Sequence, residues 1–377
     1  MQFVWMTLFM FLPFVAMGYL AWHLWCLLPL AGVWKVIIIV LGVLCFSLMF
    51  LSMARKFDSM PLELASCAYE VGTSSLFIML YMVMTFLLLD IGRLVRLVPR
   101  EWLYGNWTTT AVLTALLVGI FVYGNLHYKN KVRETLELTT KKPLQRQYKM
   151  VMLSDLHIGY HNRRAELARW VDMINEEQPD LILIAGDIID GSMRPIIEEH
   201  MAEEFRRLKA PVYACLGNHE YYSGDSAAVR FYQEAGIHLL RDSVALVDDI
   251  AIIGRDDRSN VRRAPLSSPK GDTIAGGLMS HVSPSGDGGG AFTIVLDHQP
   301  FHLDRTAAAG VDFQFSGHTH YGQVWPISWI TRSIYECAYG ECKVGNTRFY
   351  VSSGMGIWGG KFRIGSRSEY VVAVVHN

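Results

Sequence analysis

VMLSDLHIGY (151–160), LILIAGDIID (181–190), VYACLGNHE (212–220), FTIVLDHQP (292–300) and FQFSGHTH (313–320) share one construction: a short apolar run followed at once by residue types that ligate metals. Runs of this length read as buried strands. Asp155 and His157, Asp187 and Asp190, Asn218 and His219, His298, and His318 and His320 stand at their ends. Layered α/β folds assemble their sites on the loops at the C-terminal ends of strands. A single histidine beside a strand is ordinarily a hydrogen-bonded structural residue, but five such clusters in order point to one shared site. Imidazole nitrogens, carboxylates and an amide oxygen suit Mn, Fe or Zn, and no all-thiolate set accompanies them.

Around these runs, strands are expected at Lys149–Leu153, Leu181–Ala185, Val212–Leu216, Ile250–Gly254, Phe292–Leu296, Phe313–Ser316, Arg348–Ser352 and Tyr370–Val375. Ala165–Glu177 and Pro195–Lys209 read as helices between them, and this alternation marks a layered α/β domain over 149–377. Residues 129–148 are polar and read as a linker and entry segment. Residues 258–290, rich in Ser, Gly and Pro with the run GDGGG, read as a flexible insertion. There is no internal repeat.

The first 128 residues are of another kind. The chain has 377 residues and a formal net charge of −1, which disfavours a strongly basic nucleic-acid binder and an acidic disordered protein. Its mean hydropathy of +0.22 implies membrane segments joined to a soluble part. Before Lys129 there are six basic and five acidic residues, against 28 and 30 in the rest. Four apolar stretches, Val4–Cys26, Val33–Met53, Gly72–Ile91 and Thr108–Leu126, each approach the ~20 residues that a helix needs to cross a bilayer, so 1–128 reads as a four-helix transmembrane domain. A cleaved signal peptide fits poorly, because no basic n-region precedes the first stretch. Trp102, Tyr104, Trp107, Tyr123 and Tyr128 suit the membrane interfaces.

An even number of spans puts Arg55, Lys56, Lys129, Lys131, Arg133, Lys141 and Lys142 on one side, against Lys35, Arg93, Arg96 and Arg100 on the other. Seven to four favours a cytoplasmic catalytic half. A short interfacial helix over Leu89–Val98, with Asp90 at its head, would lay the three arginines along headgroups and weaken that count. Glu63, Glu70 and Asp90 fall near span ends, where solvation or pairing is expected. Of the six cysteines only Cys337 and Cys342 could pair, which needs an oxidising compartment; free thiols are the favoured reading.

The series D-x-H, G-D-x-x-D, G-N-H-E, H and G-H-x-H resembles the calcineurin-like metallophosphoesterase superfamily and, with a membrane bundle in front, its membrane-anchored branch. The resemblance implies a four-layer αββα sandwich with a binuclear metal centre on the loops between two sheets. It assigns Asp155, His157 and His320 to one divalent ion, Asn218, His298 and His318 to the other, and Asp187 to the bridge, with Mn favoured over Fe or Zn. A water held between two such ions loses a proton near neutral pH and attacks phosphorus in line. The resemblance makes His219 the acid that protonates the leaving oxygen, oriented by Asp190; the alternative is that Asp190 caps the following segment. Arg363 in the C-terminal loop either reaches a substrate phosphate or has a structural role. Glu220 reads as a group supporting the ligands from behind, with no specific role assigned to it.

The glycines at 354, 356 and 359 match G-x-G-x-x-G literally, but no βαβ unit surrounds them, and neither a P-loop nor G-x-S-x-G occurs. The expected activity is hydrolysis of a phosphoester or pyrophosphate by a membrane-bound enzyme. A lipid-linked substrate such as UDP-diacylglucosamine is one candidate, membrane lipids are expected partners, and nucleic acid is not. Trp325, Ile327, Trp329 and Ile330 could dock an amphiphile or dip into the interface; alternatively they pack against the core or the membrane helices. The competing functions are a metal-binding scaffold without turnover and a transporter with a regulatory domain. The spans lack the polar lining that the transporter would need.

Overall fold

The computed structural model describes residues 2–53, 56–260 and 290–377. Most of the expected insertion, 261–289, lies outside the described residues. The chain divides into two compact units, Met1–Leu126 with Gly359–Phe362, and His127–Trp358 with Arg363–Asn377.

The first unit is helical: α1 (Gln2–Leu27), α2 (Gly32–Met53), α3 (Leu62–Leu94) and α4 (Trp107–Lys129). Among the described residues three helical stretches, Gly32–Ser52, Leu62–Leu94 and Trp107–Lys129, are long and apolar enough to cross a membrane, and Phe11–Leu27 of α1 is a shorter apolar helix. Their outward side chains, among them Trp34, Leu44, Leu88 and Val118, are exposed, a surface suited to lipid rather than water. The expected separate helix over Leu89–Val98 is not formed. The helical ladder of α3 continues without a break to Leu94, and the chain leaves it only at Val95, before Arg96 in the left-handed region at φ 63°. Asp90 therefore projects from a continuous helix towards α1. The Tyr19 hydroxyl donates to its carboxylate at 2.7 Å, and the His23 Nε2 lies 3.0 Å from the same oxygen. His23 is buried and stacked on Phe86 at 4.5 Å, so the polar group sits in an aromatic box. Glu70 is paired as well, with the Lys361 ammonium 3.3 Å away. Lys361 belongs to the four-residue return Gly359–Phe362, whose Phe362 ring meets Phe121 at 4.8 Å.

The second unit holds, among its described residues, two six-stranded sheets. The first has the order β1 (Lys131–Thr139), β12 (Ser368–His376), β2 (Tyr148–Leu153), β3 (Leu181–Ala185), β4 (Val212–Cys215) and β5 (His238–Leu239). The second runs β10 (Gly340–Val344), β11 (Thr347–Val351), β9 (Phe313–Ser316), β8 (Phe292–Leu296), β7 (Ile250–Gly254) and β6 (Ser243–Val247). Alternate side chains serve two cores. Met150, Met152, Leu181 and Leu183 meet Ile252, Ile294, Leu296 and Phe315 between the sheets, while Val151, Leu153, Ile182 and Ile184 face the helices. Those helices are α5 (Arg164–Glu176), α6 (Arg194–Glu198), α7 (Ala202–Phe205), α8 (Asn218–Ser223) and α9 (Asp225–Glu234). α5 buries Leu167, Trp170, Val171 and Ile174, the i, i+3, i+4, i+7 stripe. Beyond the second sheet, Leu303 of the helix Leu303–Ala308 packs on Phe349 and Val351. The order of layers is αββα.

Four expectations are corrected here. The linker contains strand β1, paired in parallel with β12 at an edge of the first sheet. The expected helix Pro195–Lys209 is split into α6 and α7, because His200 adopts φ 53° and the Met201 N–H turns back to the Ile196 carbonyl. Tyr128 is fully buried rather than interfacial: its hydroxyl lies 2.7 Å from the Asn162 carbonyl oxygen and 3.0 Å from the Glu166 carboxylate, with the Lys131 ammonium over its ring. Cys337 and Cys342 form a disulfide, their Cα atoms 6.3 Å apart, because the turn into β10 carries one back beside the other.

Replacing Asp90 by Ala removes the acceptor of two helix-linking contacts and leaves Tyr19 and His23 facing apolar surroundings. We expect it to destabilise the helical unit by about 1 kcal/mol, measured as a lowered midpoint of thermal unfolding in detergent; an unchanged midpoint would show that the cluster contributes nothing.

Candidate metal centre

Strands β2, β3 and β4 are parallel neighbours in one sheet, as are β8 and β9 in the other, so their C-terminal ends present five loops to one place. Asp155 and His157 follow β2, Asp187 and Asp190 follow β3, Asn218 and His219 open α8 after β4, His298 follows β8, and His318 and His320 follow β9. Asp155, His157, Asp187, His318 and His320 all have positive φ, between 46° and 70°. That conformation is sparsely populated for residues with a Cβ, Asp and His being among those that tolerate it best, and it turns consecutive side chains into the same space.

Among the described residues three groups of potential ligands result: Asp155, His157 and His320; His157, Asp187 and His219; and Asp187, His298 and His318. Asp187 is common to two of them. Its Oδ2 lies 3.1 Å from His298 Nε2 and 3.7 Å from His157 Nε2, and Asp155 Oδ1 lies 3.4 Å from His320 Nε2. Asn218 joins the second side with its Oδ1 3.1 Å from His298 Nε2. The structure thus brings together all seven residues expected to ligate metals.

The tautomers test whether cations fit. His298 Nδ1 faces the Ala185 carbonyl at 2.8 Å, and His157 Nδ1 faces Asp190 Oδ1 at 3.2 Å. A carbonyl and a carboxylate only accept, so each Nδ1 carries hydrogen, and each neutral ring aims an Nε2 lone pair into the cluster. There the lone pairs meet carboxylate oxygens, and the Nε2 atoms of His157 and His320 lie 3.1 Å apart. Converging lone pairs and anionic oxygens are a donor set that divalent cations satisfy. Without cations, protons must do so. Burial alone would lower the imidazole of His157, but Asp155 and Asp190 outweigh it and hold it up at about 10. Burial alone would raise the Asp155 carboxyl, and His320 and His157 instead hold it well below its usual range. His318 goes the other way, down to about 4, from burial and the charge of His298.

Two more of the expected site residues are held by specific contacts. Asp190 meets both histidines: its carboxylate holds His157 Nδ1, while His219 Nδ1 donates to its main-chain carbonyl and lies 3.6 Å from its Oδ1. Arg363 reaches no open phosphate position. It is fully buried, and its guanidinium donates to the carbonyls of His320 at 2.8 Å, Gly356 at 2.9 Å and Gly354 at 3.2 Å, tying the C-terminal loop to the β9 loop. Burial lowers it to about 10.

Glu220 is the contributor that the sequence reading left without a role. Its buried carboxylate accepts from the backbone N–H groups of Gly217, Ile189 and Asp187 at 2.7, 2.9 and 3.1 Å, clamping the two loops that carry Asp187 and Asn218. Burial and the neighbouring Asp187 raise it to about 7. The available signal was its place three residues after Gly217, a capping spacing at the start of α8. Gly317 matters for space: a Cβ there would stand 2.2 Å from Asp155 Oδ2. Gly317→Ala should therefore displace Asp155 and at least halve the bound metal measured by elemental analysis. Full metal occupancy in that variant would contradict the role given to Asp155.

Residues 148–322 match the family model for calcineurin-like phosphoesterases. An uncharacterized metallophosphoesterase of Aquifex aeolicus is 27% identical over 265 residues, covering 69% of this chain and 97% of that protein. A zebrafish transmembrane protein with a metallophosphoesterase domain is 30% identical over 235 residues, 59% of this chain and about half, 51%, of that protein. A solved dimetal phosphatase from zebrafish aligns with 13% identity and a TM-score of 0.36, covering 54% of this chain and 86% of that one.

Proposed function

We propose, residues 148–322 being a calcineurin-like phosphoesterase domain, that this phosphoester hydrolase works with two divalent cations, Mn favoured, held by Asp155, His157 and His320 on one side and Asn218, His298 and His318 on the other, with Asp187 between. The observation that carries this reading is Asp187, shared by two ligand groups and aimed at imidazoles whose Nε2 lone pairs are fixed from behind. Divalent cations at such a site act as Lewis acids on a phosphoryl oxygen and lower the pKa of water. The chain's own contribution is orientation and proton delivery. The backbone N–H of His219 donates to Asp187 Oδ1 at 2.9 Å, and its Nδ1–H donates to the Asp190 carbonyl. His219 Nε2 is then the nitrogen that carries a proton to a leaving oxygen, while the Asp190 carboxylate steadies His157.

The test is hydrolysis of bis(p-nitrophenyl) phosphate and p-nitrophenyl phosphate by the detergent-purified full chain, with and without Mn²⁺. Asp187→Asn should lose metal and nearly all activity, since an amide cannot balance two cations. His219→Ala should keep its metal and slow alkyl phosphoesters by ~10²–10⁴-fold, with a much smaller loss on p-nitrophenyl esters, whose leaving group needs no proton. Equal losses on both substrates would contradict the proton-delivery role.

The reading extends to an amphiphilic substrate, such as a lipid-linked pyrophosphate of the UDP-diacylglucosamine type, with membrane lipids as partners and no nucleic acid. It is supported by the helix Ile327–Ile334, which follows the His320 loop and leaves Trp329, Ile330 and Ile334 more than half exposed. Trp325 is exposed too, 5.3 Å from Trp329 ring to ring. The alternative of packing into the core does not hold for these side chains. Keeping acyl chains in apolar surroundings avoids a transfer cost of about 0.8 kcal/mol per CH₂. The double variant Trp329→Ser, Ile330→Ser should lose roughly tenfold in kcat/KM on a long-chain phosphoester in mixed micelles and little on soluble aryl esters. Equal losses on both would reduce this face to a structural one.

On sidedness two observations oppose each other. The basic-residue count supports a cytoplasmic domain, while the Cys337–Cys342 bond belongs to the chemistry of oxidising compartments. We keep the cytoplasmic reading as the proposal. A C-terminal fluorescent-protein fusion that lights up in intact cells supports it; a dark fusion overturns it.

A further inference from the structure

One end of the helical unit gathers cations that nothing in the fold neutralises. α2 starts at Gly32, a short turn after α1 ends at Leu27. The connection from α3 to α4 is tied to the same place: the Gly105 N–H donates to the Cys26 carbonyl at 2.9 Å and the Asn106 N–H to the Leu27 carbonyl at 3.1 Å. The stretches 24–35 and 90–107 therefore meet, and they carry Lys35, Arg93, Arg96 and Arg100 against two acids, Asp90 and Glu101. The Asp90 carboxylate is engaged by Tyr19 and His23. Among the described residues none of the four cations is in an ion pair, with Glu101 or with any other carboxylate.

Two of them share one ring. The central carbon of the Arg100 guanidinium lies 5.0 Å from the centre of the Tyr104 ring and that of Arg93 lies 5.7 Å from it, while Arg93 Nη1 donates to the Tyr104 hydroxyl at 3.3 Å. A guanidinium laid on an aromatic ring is held ready to present its fork to phosphate oxygens. Two such groups at one ring repel each other, and an anion placed between them turns that repulsion into attraction to both. The Lys35 ammonium is fixed as well, donating to the Trp25 carbonyl at 2.7 Å and lying 5.5 Å from the centre of the Trp25 ring. Arg96 is exposed on the turn that closes α3, where the N–H groups of Leu97 and Val98 return to the Gly92 carbonyl at 2.8 and 3.1 Å.

The surroundings of these charges say which anion they suit. Leu94 and Leu97, the neighbours of Arg93 and Arg96, are 82% and 78% exposed, and Trp102 and Trp107 are more than half exposed. Large apolar side chains interleaved with arginines at the ends of membrane-length helices match the level where headgroups give way to acyl chains. A free phosphate would answer the charges and leave the leucines in water. We propose that Lys35, Arg93, Arg96 and Arg100, arranged around Tyr104 and Trp25, form a binding site for the headgroup of an anionic phospholipid, whose acyl chains lie against Leu94 and Leu97. The site belongs to the helical unit alone and is independent of the hydrolase reading.

The test is calorimetric titration of the full chain, purified in a neutral detergent, with dioctanoyl phosphatidylglycerol, dioctanoyl phosphatidylcholine and inorganic phosphate. The anionic lipid should bind at least roughly tenfold more tightly than the zwitterionic one, each cation at an anionic headgroup being worth about fivefold. The pair Arg93→Gln, Arg100→Gln should abolish that preference. Arg96→Gly should lower it about fivefold without loss of folding, because at φ 63° glycine is the residue that adopts the backbone most freely. Lys56→Gln, an exposed cation outside both stretches, should leave the preference unchanged. Should the double variant melt earlier in detergent than the parent, Arg96→Gly decides. Equal affinity for the two lipids in the parent, an unchanged preference in Arg96→Gly, or an equal loss in Lys56→Gln overturns the proposal. Inorganic phosphate binding as tightly as the anionic lipid overturns the headgroup assignment.

Discussion

Asp155, Asp187 and Asp190 are carboxylates taken out of water, and a buried charge persists only where other charges or N–H donors answer it. The arrangement around them meets that requirement. The backbone N–H of His318 donates to both oxygens of Asp155 at 3.0 and 3.1 Å, that of His219 donates to Asp187, and His157 lies against Asp190. What remains is a group of lone pairs and anionic oxygens converging from both sheets, a candidate donor set for divalent cations. The packing of the two sheets face to face is the condition for this convergence, since only the inter-sheet core aligns the ends of β2, β3 and β4 with those of β8 and β9.

The central strands and ligand loops were legible in the sequence because those strands are buried on both faces and read as unbroken apolar runs. The edge strands were not. β1, KVRETLELT, and β10, GECKV, alternate exposed charges with half-buried positions, and their polar residues resemble a linker. The break between α6 and α7 depends on one histidine in the left-handed region, which residue type does not announce. The ligand types were readable from chain order, but which atom of Asp190 meets which histidine was not, because carbonyl and carboxylate of one residue compete for two imidazoles a few ångströms apart. The charge of Arg363 left phosphate binding and a structural role open; the backbone carbonyls of His320, Ser353, Gly354 and Gly356 claim that charge.

In the helical unit, lengths were more legible than partners. Hydropathy located the apolar stretches, but it placed Asp90 at a span end and not opposite Tyr19 and His23. A carboxylate on an apolar helix face specifies which neighbouring helix it faces and at what height, since a one-turn slip would leave it without its two partners. The paired Glu70 and Lys361 add a second fixed point, involving the short return of the C-terminal loop into this unit.

The left-handed backbone at five site residues limits how the centre could be rebuilt for another cation. Asp, Asn, His and Gly adopt that conformation with little penalty, whereas other residues with a Cβ bear roughly 1–2 kcal/mol each. Exchanges within that small alphabet change the charge and hardness of the donors at little conformational expense. Conversion to cysteine thiolates would set five backbone strains against the affinity gained, so the backbone itself resists an all-thiolate site.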